Sequence, residues 1–274
     1  MYAITCSVVA FKNEESQLKS AIESVLSTKL NIKLYLIDNS PSNELENIII
    51  DSRIEYIHNP SNPGFGAAHN IAIKKSLSIG AKYHLVLNPD VRFDTGVMEQ
   101  IINFMEQSPD VGNLMPKVLY PDGSEQYLCK LLPTPYDWIG RRFNPFKSIV
   151  NQRNKMFELR FTGYTNIMEV PYLSGCFMFL RLNAIKEVGL FDENIFMYGE
   201  ETDLCRRIIS KGYKNTFYPK VFIYHEFAKG SHKSLRLTLI GIQSAMYYFN
   251  KWGWFFDKER KRINKETLAK LGYE

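Results

Sequence analysis

The chain has 274 residues, 45% of them hydrophobic and 23% charged, with a net charge of +5. That is enough apolar material for a core in one large domain or in one domain with an appendage, and it excludes disorder as the main state. The small positive excess suits an anionic partner, a phosphorylated ligand or lipid headgroups, and no nucleic-acid partner is expected.

Cys6, Cys129, Cys176 and Cys205 are widely spaced and include no C-x-x-C pair, which argues against a zinc site or a disulfide framework and for reduced thiols. The longest charge-free run, Leu237 to Asn250, is shorter than the roughly 20 residues of a spanning helix, and the N-terminus enters a strand pattern without a basic leader. The expectation is a cytoplasmic protein, with surface attachment to a membrane left open.

In chain order, compact apolar runs of strand length occur at 3–11, 32–38, 54–57 and 83–88. Helical spacing separates them: Leu18, Ala21, Ile22, Val25 and Leu26 after the acidic start Glu14-Glu15, then Ala67, Ala68, Ile71 and Ala72 before Gly80. Strands alternating with helices predict βαβ units and an α/β domain with a mainly parallel sheet covered on both faces. In such sheets ligands bind beyond the carboxyl ends of the strands. Three stretches fall there: Ala-Phe-Lys-Asn (10–13), Asp-Asn-Ser (38–40) and Asn-Pro-Asp (88–90).

Residues 120–146, rich in Pro, Gly and aromatics, read as a long excursion over the site or an acceptor-side loop. Regular pattern resumes at 172–182, around 200–211 and at 216–225, and the tail beyond about 230 reads as helical, aromatic and basic.

Several residues could carry chemistry, and each has a plainer reading. Asp90, after the strand-stopping Pro89, could hold Mg²⁺ against a diphosphate or merely satisfy turn amides. Asp38 could accept the N–H of a uracil or thymine ring or open an ordinary turn. Residues 59–70 place two glycines at a helix start, which permits close approach of backbone to a nucleotide, although neither G-x-G-x-x-G nor a P-loop is present. Glu200, Glu201 and Asp203 could include a general base or simply form an acidic first helical turn. His225 could be a satisfied strand-end side chain or a metal ligand.

Taken together, SVVAFKNE, YLIDNSPS, NPGFGAAHN, LVLNPDV, the block from Leu173 to Arg207 and YHEFAKGSHKS resemble the family 2 glycosyltransferases of the GT-A fold, and within them the bacterial rhamnosyltransferase-like branch. The resemblance runs over about residues 1–255. It implies a GT-A domain over 1–228, with a donor half to about 120 and an acceptor half over 121–228, followed by a helical extension over 229–274.

It also implies roles. Ala10, Phe11 and Asp38 match positions around the base, and Gly64, Phe65 and the residues to Asn70 match the loop near ribose and phosphate. Asp90 matches the metal-binding acid, with Asn88 in place of a first Asp, and His225 the late histidine that joins metal or diphosphate. Glu201 stands at the base position, longer by one methylene than the usual Asp, with Glu200 before it and Asp203 as the alternative base.

The activity so implied is an inverting transfer of a sugar, first of all L-rhamnose from dTDP-L-rhamnose, with Mg²⁺ or Mn²⁺. The acceptor would be a glycan or lipid-linked saccharide in cell-surface polysaccharide synthesis. A UDP-hexose or UDP-galactofuranose donor is the alternative, and a non-catalytic nucleotide-sugar sensor a further one. From Lys229 to Lys270 the tail carries ten basic residues against three acids, interleaved with aromatics. That suits peripheral attachment to the inner face of the membrane, a homodimer contact or a solvated face around a packed stripe.

Overall fold

The computed structural model describes residues 4–48, 50–141, 144–226 and 235–273. Strands β1 (Ile4–Ala10), β2 (Ile32–Asp38), β3 (Ile54–His58) and β4 (Tyr83–Leu87) pair in parallel in the order β3-β2-β1-β4. Helix α1 (Glu15–Leu26) buries Leu18, Ala21, Ile22 and Val25, the stripe read from the sequence, and α2 (Phe65–Ser78) buries Ala67, Ala68, Ala72 and Ile73. Burial on both faces explains why β1, β2 and β4 are nearly unbroken apolar runs.

Beyond β4 the sheet changes character. The two-residue β5 (Val91–Arg92) and α3 (Val97–Gln107) lead into β6 (Val111–Leu119), which the sequence pattern did not reveal because Pro116 interrupts it. After β7 (Cys129–Lys130), a single π-helical turn (Tyr136–Gly140), α4 (Lys147–Phe157) and the short β8 (Met168–Glu169) and β9 (Tyr172–Leu173), strand β10 (Phe177–Arg181) inserts between β4 and β6, antiparallel to both.

Helices α5 (Leu182–Val188) and α6 (Glu200–Ser210) precede β11 (Lys214–His225), which runs parallel to β6 and antiparallel to β5 and β8. The run at 172–182 is therefore two strands and a helix start. The order β3-β2-β1-β4-β10-β6-β11-β5 is parallel from β3 to β4 and mixed beyond it. A shift of register between Tyr218 and Phe222 of β11 lies opposite Pro116 and Lys117, where Pro116 offers no N–H.

Helices α7 (Leu235–Trp252) and α8 (Lys258–Lys270) are bolted to the sheet domain by charge. Arg206, fully buried, grips Asp257 with two bonds of 2.6 and 2.8 Å and stacks on Trp252 at 4.2 Å. Asp257 also caps α8 by accepting the Arg260 N–H at 2.9 Å. Residues 227–234, which include Lys229, His232, Lys233 and most of the motif YHEFAKGSHKS, lie outside the described residues. Among the described residues no helix is long and apolar enough to cross a membrane, and the four cysteines are buried and free.

Candidate functional site

The carboxyl ends of β1, β2 and β4 open on one edge. There Ala10 is buried and its carbonyl accepts the Asn39 N–H, while Phe11 is half exposed and Lys12 adopts a left-handed φ of 53°. A cavity of about 440 Å³ beyond β1 and β2 is lined by Lys12, Asn13, Ser40 and Glu44 among others. Asp38 lies behind it with no exposed surface, its oxygens accepting from the Ser40 N–H at 2.9 Å and the Tyr56 hydroxyl at 2.7 Å. Its carboxylate holds the turn, and the cavity wall is made by Lys12, Asn13, Ser40, Pro41, Ser42, Glu44 and Leu45.

The glycines of residues 59–70 are needed for packing. A Cβ on Gly64, at φ 104°, would overlap the Phe196 carbonyl oxygen, and one on Gly66 would come within 2.9 Å of Phe191. The close approach expected of a nucleotide is made by the chain itself. Asn70 is likewise spent inside the fold: its amide donates to Phe191 O and Glu193, and its Oδ1 accepts the Phe191 N–H. Phe65 packs on His69 at 4.4 Å between ring centroids.

At the end of β4 the Asn88 N–H donates to Cys176 O at 2.9 Å, and its carbonyl accepts the Val91 N–H, which closes the turn at Asp90. Asp90 Oδ1 is buried with no hydrogen bond, 3.3 Å from His225 Nε2. Gln126 fixes the imidazole. Its Nε2 donates to His225 O at 2.7 Å, so its Oε1 must accept from Nδ1 at 3.0 Å. The Nδ1 N–H therefore points at Gln126, and the Nε2 edge of the ring faces Asp90. One carboxylate oxygen beside one imidazole nitrogen is a donor set that Mg²⁺ or Mn²⁺ accepts. Among the described residues no group of three His, Cys, Asp or Glu side chains converges, so further ligands would come from phosphate and water.

Residues 174–176 join this pair to the acidic helix. Cys176 holds Asn88, while the Gly175 Cα faces Phe65 and Glu201, with a Cβ there falling 3.7 and 3.5 Å from them. Glu201 Oε1 accepts from the Tyr172 hydroxyl and Oε2 from the Gly199 N–H, both at 2.9 Å. It lines a cavity of about 220 Å³ with Lys130, Trp138, Tyr172 and Tyr198. Gly199, at φ 110°, gives the Trp138 ring room that a Cβ would take.

Glu200 is buried beside it, and burial, then the charge of Glu201, pushes its carboxyl well above the usual range. Asp203 does not line the cavity: its oxygens are taken by Arg207 at 2.7 Å and by Lys251 and Trp252 at 2.8 Å. It ties α6 to α7.

Lys130, Trp138, Tyr172 and Gln126 were not singled out from the sequence. Burial lowers the Lys130 ammonium from its ordinary pKa, with Glu158 opposing, and no carboxylate lies within 4 Å of it among the described residues. The signal available was a lone cation in the apolar run Leu-Cys-Lys-Leu-Leu (128–132). For Gln126 there was none.

A crystal structure of GalNAc-T7 with UDP, GalNAc and Mn²⁺ superimposes with a TM-score of 0.61 at 13% identity, covering 98% of this chain and 55% of the other. The mixed sheet has the arrangement of a GT-A glycosyltransferase fold. Residues 6–189 match the model for glycosyl transferase family 2, and the chain belongs to that family.

Among curated relatives, N-acetylglucosaminyl-diphospho-decaprenol L-rhamnosyltransferase of Mycobacterium tuberculosis is 23% identical over 241 residues, 82% of this chain and 76% of that protein. Rhamnosyltransferase WbbL of Escherichia coli is 24% identical over 226 residues, 80% and 81% of the two chains. Low-salt glycan biosynthesis hexosyltransferase Agl10 of Haloferax volcanii is 25% identical over 203 residues, 73% of this chain but only 59% of its own length.

Proposed function

We propose that the chain is a metal-dependent, inverting glycosyltransferase that moves a sugar from a nucleoside diphosphate, first of all L-rhamnose from dTDP-L-rhamnose, onto a saccharide acceptor. The observation that carries this reading is Glu201, a carboxylate aimed by Tyr172 and Gly199 into a cavity with aromatic walls, joined through residues 174–176 to the Asp90–His225 pair. The two named rhamnosyltransferases support the donor sugar, and the hexosyltransferase favours a UDP-hexose as the second choice. The M. tuberculosis enzyme is named for a diphospho-decaprenol acceptor, which supports a lipid-linked saccharide here.

Asp90 and His225 would hold the cation, which when bound offsets charge on the leaving diphosphate. The chain does the rest. Glu201 takes the proton of the acceptor hydroxyl as it attacks the anomeric carbon from the side opposite the diphosphate, so no covalent enzyme intermediate forms. Trp138, Tyr172 and Tyr198 wall the acceptor sugar away from water, and the Lys130 ammonium faces the same cavity, placed for an acceptor phosphate.

The test is a panel of nucleotide-sugars assayed for released diphosphate with and without Mg²⁺ or Mn²⁺, on wild type and Glu201→Gln. The variant should lose about 10²–10⁴-fold in kcat while keeping donor affinity. Donor binding with no transfer to any acceptor would mark a sensor, and near-normal turnover in the variant would remove Glu201 as base.

A further inference from the structure

The aromatic tail divides sharply in three dimensions. Tyr248 and Phe249 are fully buried against Trp138, and Trp254 packs on Phe249. Trp252 stacks on Arg206. Among the described residues the most exposed aromatics are the pair between α7 and α8, with Phe255 77% and Phe256 97% exposed. Two adjacent phenylalanines exposed to water gain little from the fold, and they form part of the wall of a groove of about 890 Å³ between α4 and α8.

The charge around the groove is one-sided. Lys258, Lys261 and Lys265 line it, spaced three and four apart on one face of α8, and none has a carboxylate within 4 Å among the described residues. The acids of the same helix are committed elsewhere: Glu259 to Arg206 and Glu266 to Arg262. Asp257, the acid in the groove wall, is locked to Arg206. Exposed aromatics rimmed by unpaired lysines complement an anionic bilayer surface, where the rings enter the headgroup boundary and the cations meet phosphates.

We propose that Phe255 and Phe256 insert into an anionic bilayer while Lys258, Lys261 and Lys265 seat on its headgroups, holding the enzyme on the membrane. The seat backs onto the catalytic cavity: Leu131 and Met156 line the groove, their neighbours Lys130 and Phe157 line the cavity, and the Arg153–Asp137 ion pair spans the two. This deepens the reading of a lipid-linked acceptor and rests on it only for its purpose, since vesicle binding is measured with neither substrate present.

The experiment is flotation of the full chain with vesicles of phosphatidylcholine alone and of phosphatidylcholine mixed with phosphatidylglycerol. Wild type should float with the mixed vesicles and be released by high salt. Phe255→Ser/Phe256→Ser should lower the partition coefficient about tenfold or more per ring, and each of Lys258→Gln, Lys261→Gln and Lys265→Gln about fivefold. Arg262→Gln, whose cation is paired with Glu266 and lines a separate cavity, should bind as wild type.

Because the changed side chains are exposed, unaltered thermal melts are expected and separate lost binding from misfolding. No flotation of wild type, or undiminished flotation of the double variant, overturns the proposal. A wild-type dimer that the double variant turns into a monomer, without vesicle binding, would give the patch to a second copy instead.

Discussion

Two buried histidines and one buried acid oppose each other in their effect on stability, and the balance can be measured. Beneath the sheet, His84 bonds Thr5 at 2.8 Å, Ser7 at 2.8 Å and Ser76 at 3.0 Å, and His69 bonds Ser7 at 2.7 Å. Burial holds the His84 imidazole down to about 3, and burial together with His84 lowers His69 well below its usual value. Both stay neutral in the fold but take up a proton near pH 6.5 once unfolded, so the stability they contribute is complete above pH 6.5 and is lost as pH falls. Glu200 works in the other direction: protonated in the fold and ionised when unfolded, it costs stability as pH rises from about 4.5.

Each proton of difference is worth about 1.4 kcal/mol per pH unit, so between pH 6 and 5 two protons on one side and one on the other leave a net loss of about 1 kcal/mol. Urea titrations across that window should show this slope in wild type, a nearly flat profile in His84→Asn, and about twice the wild-type slope in Glu200→Gln. Reading the slope instead of the absolute stability keeps the test valid in a weakened variant. A wild-type slope retained in His84→Asn, or unchanged in Glu200→Gln, would refute the assignment of these groups as buried and neutral.

Arg206→Met should cost about 3–5 kcal/mol in chemical denaturation, because it leaves Asp257 buried without its cation; adding Asp257→Leu should recover most of that loss, short of the α8 cap. Gly64→Ala should destabilise by about 2 kcal/mol or more, since its Cβ meets the Phe196 carbonyl at a left-handed φ, and the same denaturation assay reads it. Gln126→Leu should weaken Mn²⁺ binding in the presence of nucleoside diphosphate about 10–100-fold by calorimetry, through loss of the bond that orients His225.

The first four strands and the helices between them were legible in the sequence because their order is local. β1, α1, β2, α2 and β4 each carry their own periodicity, and their parallel pairing follows from alternation alone. β6 and β10 were not legible. One is broken by Pro116, and the other enters the sheet against the prevailing direction between strands that come earlier in the chain. At the site, Asp90, His225 and Glu201 could be named from motif positions. The partners that set their chemistry, Gln126, Tyr172 and residues 174–176, arrive from segments with no pattern of their own. Asn70 and Gly64 show the converse: residue types that suit a nucleotide loop are consumed by contacts with residues 191–196 that sequence spacing does not reveal.

The adjacent acids of α6 acquire different jobs from a turn of about a hundred degrees. Glu200 faces the interior beside Gly66, where a carboxylate has no water and no donor for Oε2, and it remains a neutral acid. Glu201 faces the cavity, where one oxygen accepts from the Tyr172 phenol and the other from the N–H of Gly199, the N-cap of the helix. A neutral Glu200 spares Glu201 a like charge one residue away. The pair thus separates into a buried neutral acid and a carboxylate that lines the cavity, the arrangement the proposed base requires, and burial, which only the fold supplies, decides which is which.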